Sequence, residues 1–441
     1  MILKGRNGML DLEVGRKALM GGSVGASAPF MVARASGSLV WDTDGKRYID
    51  GTAQAWSLSI GHCHPAVIAA VREHLDKYTQ IRTSFDTEPK LLLAKKLTEI
   101  APGNLKRVAF CLSGSEAMEG AMKLAMRDGR SQTFVSLWDG FHGRTLGTMS
   151  ISWPHPGNPF SEWTGPVVRI PQAYCYRCPV GKNYPNCKME CVDLARREMT
   201  ETLEEAPAAI VMEPFQGNGG MIGFPPFYLK KMREMADDFG TLLILDEIQT
   251  GMGRTGEWFA CQHENVKPDI MVIGKGLGGG FPLFGTMVDE RVKGFQPGDH
   301  SFTFAHFSPS MVAALATIDV IEKENLLGRV QKVGQQVRYR LMNMQGKYHF
   351  IGDVRGLGLM VGVELVSSHV TKKPAPRIAD RVVALSRERG LLLGESKYGG
   401  LGNVIKFKPP LNIPQELVDE SMDILDGVFA QVSKERDMEE E

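Results

Sequence analysis

Short apolar runs alternate with longer amphipathic stretches through the middle of the chain, and this alternation predicts βα units built on a mostly parallel sheet. The runs VAFCL (108–112), TFVSL (133–137), AAIVM (208–212), TLLIL (241–245), IMVI (270–273) and FGTMV (284–288) read as strands. Helical patterns lie between them, as at 115–126 and 226–238. Before about residue 70 and after about residue 335 the pattern changes, and SGSLVWDTDG and VRGLGLMVGVEL suggest antiparallel strands. The expected architecture is α/β, with a large domain over 71–335 and a smaller α+β domain made from both chain ends, 1–70 and 336–441.

At 441 residues the chain is long enough for two domains, although one large α/β unit also fits. Lys plus Arg and Asp plus Glu number 51 each, which gives no electrostatic case for nucleic acid or an anionic membrane as partner. No run of about 18 apolar residues suggests a membrane span. Lys4 and Arg6 are followed by no apolar stretch of the kind a signal peptide needs. Seven cysteines, an odd count, fit a reducing, cytoplasmic location.

Ligands of open α/β sheets bind beyond the carboxyl ends of the strands, and reactive residues stand at those ends here. The run at 108–112 leads into Ser113-Gly114-Ser115, where Gly114 permits close backbone approach and Ser115 can cap a helix whose free N–H groups would face a phosphate. A plain capped helix explains the same residues. Asp246 ends an apolar strand, where a carboxylate needs a cation or donors; a pyridinium nitrogen is one such partner and a structural ion pair another. Lys275, among glycines in IGKGLGGGFP, can be partly desolvated, which suits Schiff-base formation. The same glycines formally match G-x-G-x-x-G, but Phe281-Pro282 follows where a dinucleotide-binding helix should open. In WDGFHGRT, Phe141 could stack on a flat ring with His142 beside it, or simply belong to the core.

In combination, the Gly-Ser-Glu turn, FHGRT, Glu213-Pro214, LDEIQTGMGRTG and Lys275 resemble the class-III pyridoxal-phosphate-dependent aminotransferases from roughly residue 30 to 425. The resemblance implies a fold-type-I enzyme with a seven-stranded-type sheet, acting as a homodimer or dimer of dimers. It implies pyridoxal 5'-phosphate as cofactor, and an amine or amino acid and a keto acid as small-molecule substrates. Gly114 and Ser115 resemble the phosphate-binding turn and Phe141 the stacking aromatic. Asp246 resembles the partner of the ring nitrogen, Ile248 the packing on the opposite ring face, Gln249 the neighbour of the ring hydroxyl. Lys275 resembles the lysine that carries the cofactor, Glu213 a supporting carboxylate, and Thr303 a threonine reaching the neighbouring subunit's phosphate.

Two positions depart from the pattern of glutamate-using members. EPFQGN carries Asn218 where those often have an acid, and IKFKPPL carries Lys406 where they often have an arginine. Lysine cannot grip a carboxylate in a planar bidentate pair, so a small keto acid such as pyruvate becomes the expected acceptor. Trp56 matches a position that often lines the substrate pocket, with an ordinary core tryptophan as the other reading. The family also contains amino-acid racemases and epimerases, which need the same lysine and electron sink. Finally, Cys175, Cys178, Cys187 and Cys191 form C-x2-C-x8-C-x3-C, a spacing open to structural zinc, an iron–sulfur cluster, or free or occasionally oxidised thiols. A third reading of the whole chain is a metal-stapled binding module with an inactive enzyme-like body, against which Lys275 and Asp246 together count.

Overall fold

The computed structural model describes residues 18–20, 30–129, 131–154, 160, 165–395 and 401–440. Near the chain start, β1 (Val32–Ser36), β2 (Leu39–Asp42) and β3 (Arg47–Asp50) form an antiparallel meander. The central sheet comprises β4 (Leu105–Cys111), β5 (Phe134–Leu137), β6 (Val167–Ile170), β7 (Ala209–Met212), β8 (Leu242–Asp246), β9 (Ile270–Ile273) and β10 (Phe284–Asp289), in the spatial order β4-β10-β9-β8-β7-β5-β6. Only β10 runs against its neighbours, so the sheet has the seven, mostly parallel strands expected of fold type I. Towards the chain end, β11 (Ile351–Leu357), β12 (Met360–Leu365), β14 (Gly394–Glu395) and β15 (Val404–Phe407) make a third sheet. The short β13 (Leu391–Leu392) pairs in parallel with β3 and so joins the two chain ends in one sheet of the smaller domain.

The central strands are apolar without interruption because both faces are covered. In β9, Ile270 and Val272 join the core on the side of helix Gly114–Gly129, while Met271 and Ile273 join the core on the other. β7 repeats this alternation, with Ala209 and Val211 on the first face and Ile210 and Met212 on the second. Helices Glu190–Thr202, Tyr228–Asp238 and Ser308–Lys323 cover the second face with Val192, Leu229, Met232, Met311 and Ile318. Each fully buried side chain of this size contributes about 1.5–3 kcal/mol. β6 was not among the expected strands: VVRI is an edge strand of four residues carrying the polar Arg169, and it pairs only with β5.

Parallel pairing brings the carboxyl ends of β7, β8 and β9 to one edge of the sheet. Because β10 is reversed, its first residue, Phe284, lies at that same edge opposite Cys111 of β4. The loop after β8 is held from behind by stacked backbones. On helix Leu326–Gln345, a β-carbon at Gly334 would lie 2.1 Å from the Gly358 carbonyl oxygen. Gly358 itself (φ +55°) sits in the turn between β11 and β12, where a β-carbon would lie 2.6 Å from the Thr255 carbonyl carbon. None of these contacts can yield by moving a side chain. Gly334→Ala should therefore cost about 1–3 kcal/mol, read as a lower denaturant midpoint. Gly346→Ala, whose β-carbon would meet nothing closer than 3.5 Å, should stay near wild type. Equal midpoints for the two variants would disprove the stacking argument.

Candidate active site

Nine of the residues singled out from sequence line one cleft of about 580 Å³ at the carboxyl edge of the central sheet: Gly114, Ser115, Phe141, His142, Glu213, Asp246, Ile248, Gln249 and Lys275. Phe284 closes the cleft beside Gly114 and Gly274. A β-carbon on Gly274 would lie 1.9 Å from the Phe284 ring, so only glycine lets the chain turn here from β9 into Lys275. Lys275 itself adopts φ 44°, a left-handed conformation that costs a non-glycine residue about 1–2 kcal/mol.

The electrostatics follow from burial. Lys275 is pushed down to about 8, first by desolvation; the charges of Asp246 and Glu213 oppose that shift and Arg144 adds to it. Glu213 is pushed up to about 7, again chiefly by burial, with the Asp246 charge adding to the rise. Its two oxygens accept the Phe141 N–H (3.1 Å) and the Gly217 N–H (2.9 Å), which ties the aromatic platform to the EPFQGN turn. Asp246 is gripped from two sides: His142 Nδ1 lies 2.9 Å from Oδ2, and the Ile248 N–H donates to Oδ1 at 3.1 Å.

The helix start differs from the sequence reading. Ser113, not Ser115, is the cap: its Oγ accepts the Glu116 N–H at 3.2 Å, and Glu116 Oε2 accepts the Leu112 and Ser113 N–H groups. This is the reciprocal S-x-x-E arrangement, legible in SGSE. It frees Ser115 to line the cleft, where its Oγ accepts the Arg144 N–H at 3.0 Å. A phosphorylated pyridine fits these surroundings. The first turn of helix Gly114–Gly129 offers N–H groups to a phosphate, Phe141 and Ile248 offer flat and apolar faces, and Asp246 faces the same cleft. His142 Nε2 and Gln249 Oε1 are buried without a protein partner, polar atoms that a polar cofactor can use.

Three expected residues lie outside the cleft. Thr303 is exposed, and its carbonyl accepts from Gln80 Nε2 at 2.7 Å. Trp56 is buried with Phe215, Met221 and Met360. Around its indole stand the ammonium of Lys275 at 5.8 Å from a ring centroid, that of Lys406 at 5.7 Å and that of Lys408 at 3.3 Å. Burial pushes Lys406 down to about 7 and Lys408 well below the ordinary lysine range. Two residues of this region were missed from sequence. Arg144 lines the cleft and places its guanidinium 5.2 Å from the Phe141 ring; its signal was its place inside FHGRT. Lys408 gave none, since an alternating strand end does not say which face is buried.

The four clustered cysteines line a second, small cavity together with Tyr184 and Lys182. Burial, then the charges of the other three, raise the Cys191 thiol to about 11.

The family model of the class-III aminotransferases matches residues 22–429. The chain is 39% identical to a leucine/methionine racemase of Thermococcus litoralis over 415 residues, spanning 93% of this chain and 92% of that protein. It is 35% identical to a 5-aminovalerate aminotransferase of Pseudomonas aeruginosa over 426 residues, 95% of this chain and 97% of that one. Among solved structures, an amine transaminase from an uncultivated Pseudomonas species in its pyridoxal-phosphate-bound form superposes with a TM-score of 0.85 at 29% identity, covering 94% of this chain and 99% of that one. Among the described residues no helix is long and apolar enough to cross a membrane. With the sheet, the cleft and these likenesses in agreement, the chain belongs to the class-III aminotransferases, enzymes that depend on pyridoxal phosphate.

Proposed function

We propose that the chain moves an amino group from an amine or amino acid, ω-amino substrates foremost, to a small keto acid such as pyruvate. Bound pyridoxal phosphate supplies the electron sink that makes the amine-bearing carbon of the substrate acidic. Lys275 would hold the cofactor, and its amine would take the proton from the substrate carbon as a base and return it as an acid. A lysine near 8 can do both at neutral pH, where an ordinary one stays charged. Asp246, oriented by His142 and the Ile248 N–H, keeps the ring nitrogen protonated. Glu213 acts by position, fixing Phe141 against the ring. The exposure of Thr303, away from its own cleft, suits a role across a subunit interface in a homodimer.

The acceptor assignment is carried by one observation. At the two positions where glutamate users carry an acid and an arginine stand Asn218 and Lys406, and Lys406, near 7, is only partly charged at neutral pH. The neighbouring guanidiniums are engaged elsewhere, Arg254 with the Leu359 and Pro409 carbonyls and Arg355 with Asp353 and Glu364. A second reading, amino-acid racemisation, is favoured by the 39% identity to the Thermococcus racemase and by the apolar wall of Trp56, Phe215, Met221 and Met360, which suits an aliphatic side chain.

Exchanging the arginine fork for lysine forfeits about 1.5–3 kcal/mol, or roughly tenfold to a hundredfold in affinity for the second carboxylate. With one good amine donor, the specificity constant for pyruvate should equal or exceed that for 2-oxoglutarate. A preference for 2-oxoglutarate beyond about tenfold would overturn the acceptor assignment. In the same series, L-methionine or L-leucine is incubated in D2O without any keto acid. A transaminase stops after converting one equivalent per active site; continued formation of the α-deuterated D-isomer would establish the racemase reading instead.

Asp246→Asn should still bind cofactor but lose on the order of 3 kcal/mol of stabilisation of the charged ring, roughly a hundredfold in kcat. Activity within about twofold of wild type would make Asp246 only structural.

The lowered pKa of Lys275 also sets how the apoenzyme takes up its cofactor, because only the neutral amine attacks the aldehyde. The recombination rate, followed by absorbance, should rise with pH up to about 8 and then level. A rate still climbing steeply above about pH 9 would indicate an ordinary, solvated lysine.

A further inference from the structure

We propose that Cys175, Cys178, Cys187 and Cys191 form a structural site for a single soft dication, zinc(II), that fastens one wall of the substrate pocket. The four side chains come from two turns and line one small cavity. Cys175 and Cys178 occupy a tight turn closed by the Arg177 N–H to the Tyr174 carbonyl (3.0 Å) and the Gly181 N–H to the Cys178 carbonyl (3.0 Å). Cys187 and Cys191 flank a second turn, in which the Glu190 N–H donates to the Cys187 carbonyl (3.0 Å) and helix Glu190–Thr202 begins. Between them Lys188 (φ 48°) and Met189 (φ 62°) are both left-handed, a strained pair for non-glycine residues. That strain lets the two cysteines share one cavity wall, and it has no other evident use.

The donor set selects the occupant: four cysteine sulfurs line one small cavity, a set that favours a soft, tetrahedral dication. As they stand, no three metal-binding side chains among the described residues close on a common point, so metal binding requires the sulfurs to move inward. Four thiols bind as thiolates and release their protons. Lys182 on the cavity wall is paired with Glu190 at 2.6 Å, and the helix N-terminus at Cys191 offsets part of the excess negative charge. Pro179, Tyr184 and Pro225 complete the lining of the cavity, whose Cys187 and Cys191 side is buried and whose Cys175 side is exposed.

What the site fastens is visible in the hydrogen bonds beside it. Arg177 Nε donates to Glu364 at 2.6 Å, and the Tyr174 hydroxyl also donates to Glu364. Arg355 donates to the Tyr174 hydroxyl at 2.7 Å and to the Met221 carbonyl at 2.9 Å. Met221 packs on Trp56. The cysteine turn is thereby joined to the pocket wall through two tyrosine- and arginine-borne contacts.

Elemental analysis of the purified holoenzyme should find about one zinc per chain, released in step with thiol modification by an organomercurial. Reduced, chelator-treated protein should take up Zn2+ again, and Co2+ in its place should give the visible bands of tetrahedral cobalt thiolate. Cys175→Ser combined with Cys178→Ser should lose the metal, keep cofactor absorbance and unfold at lower temperature, whereas Cys63→Ser should change none of these. Protein that takes up no zinc when reduced, that carries iron and sulfide instead, or whose mass shows these cysteines joined in disulfides would overturn the proposal.

Discussion

A carboxylate held at the mouth of an apolar strand is the constraint from which the rest of this molecule follows. Asp246 ends β8, between strands buried on both faces, where an unpaired charge would be costly. His142 and the Ile248 N–H satisfy part of its demand, and both belong to segments that also line the cleft. The remaining demand is for a cation or further donors, and Asp246 meets it towards a cleft that Phe141 and Ile248 also line. The fold thus holds a charge in readiness for a cofactor and cannot relax around it without disturbing the sheet.

Preorganisation of this kind needs a stiff support, and it is given by backbone rather than by side chains. Gly334, Gly358 and Thr255 bring three chain segments into direct contact behind the loop that follows Asp246. Glu213 does the corresponding work in front, holding the Phe141 and Gly217 amides with its two oxygens. Burial and the Asp246 charge raise Glu213 to about 7, and the charge of Glu213 in turn supports that on Lys275, so the support in front of the sheet and the cleft's lysine are electrostatically linked.

What could be read in advance divides along a physical line. Strands such as 208–212 and 270–273 were legible because burial on both faces leaves no polar residue in them, and their ends pointed directly to Glu213, Asp246 and Lys275. β6 was not, since an edge strand with one partner tolerates Arg169. The cap was misassigned to Ser115 because spacing allows either serine, whereas the hydrogen bonds of Glu116 select Ser113. Arg144 was signalled only by its place inside FHGRT, and Lys408 escaped because the pattern IKFKPP does not say that a lysine there is buried. Nor can periodicity show that four cysteines twelve to sixteen positions apart at their extremes meet in one cavity (Cys175 to Cys187 and Cys191).

The wall around Trp56 carries the opposite problem from Asp246, a surplus of positive groups. Three lysine side chains approach one indole, whose π face compensates only part of their lost hydration. Glu213 and Glu395 support the charge on Lys406, while Arg355 and Lys275 oppose it. The protein resolves the conflict by lowering these pKa values, which leaves the wall partly neutral instead of strongly cationic. A carboxylate brought against such a wall reverses the shift and draws protons onto the amines. Substrate charge and lysine protonation are therefore coupled here, and a wall of partly neutral lysines discriminates among acids less rigidly than a permanent arginine fork would.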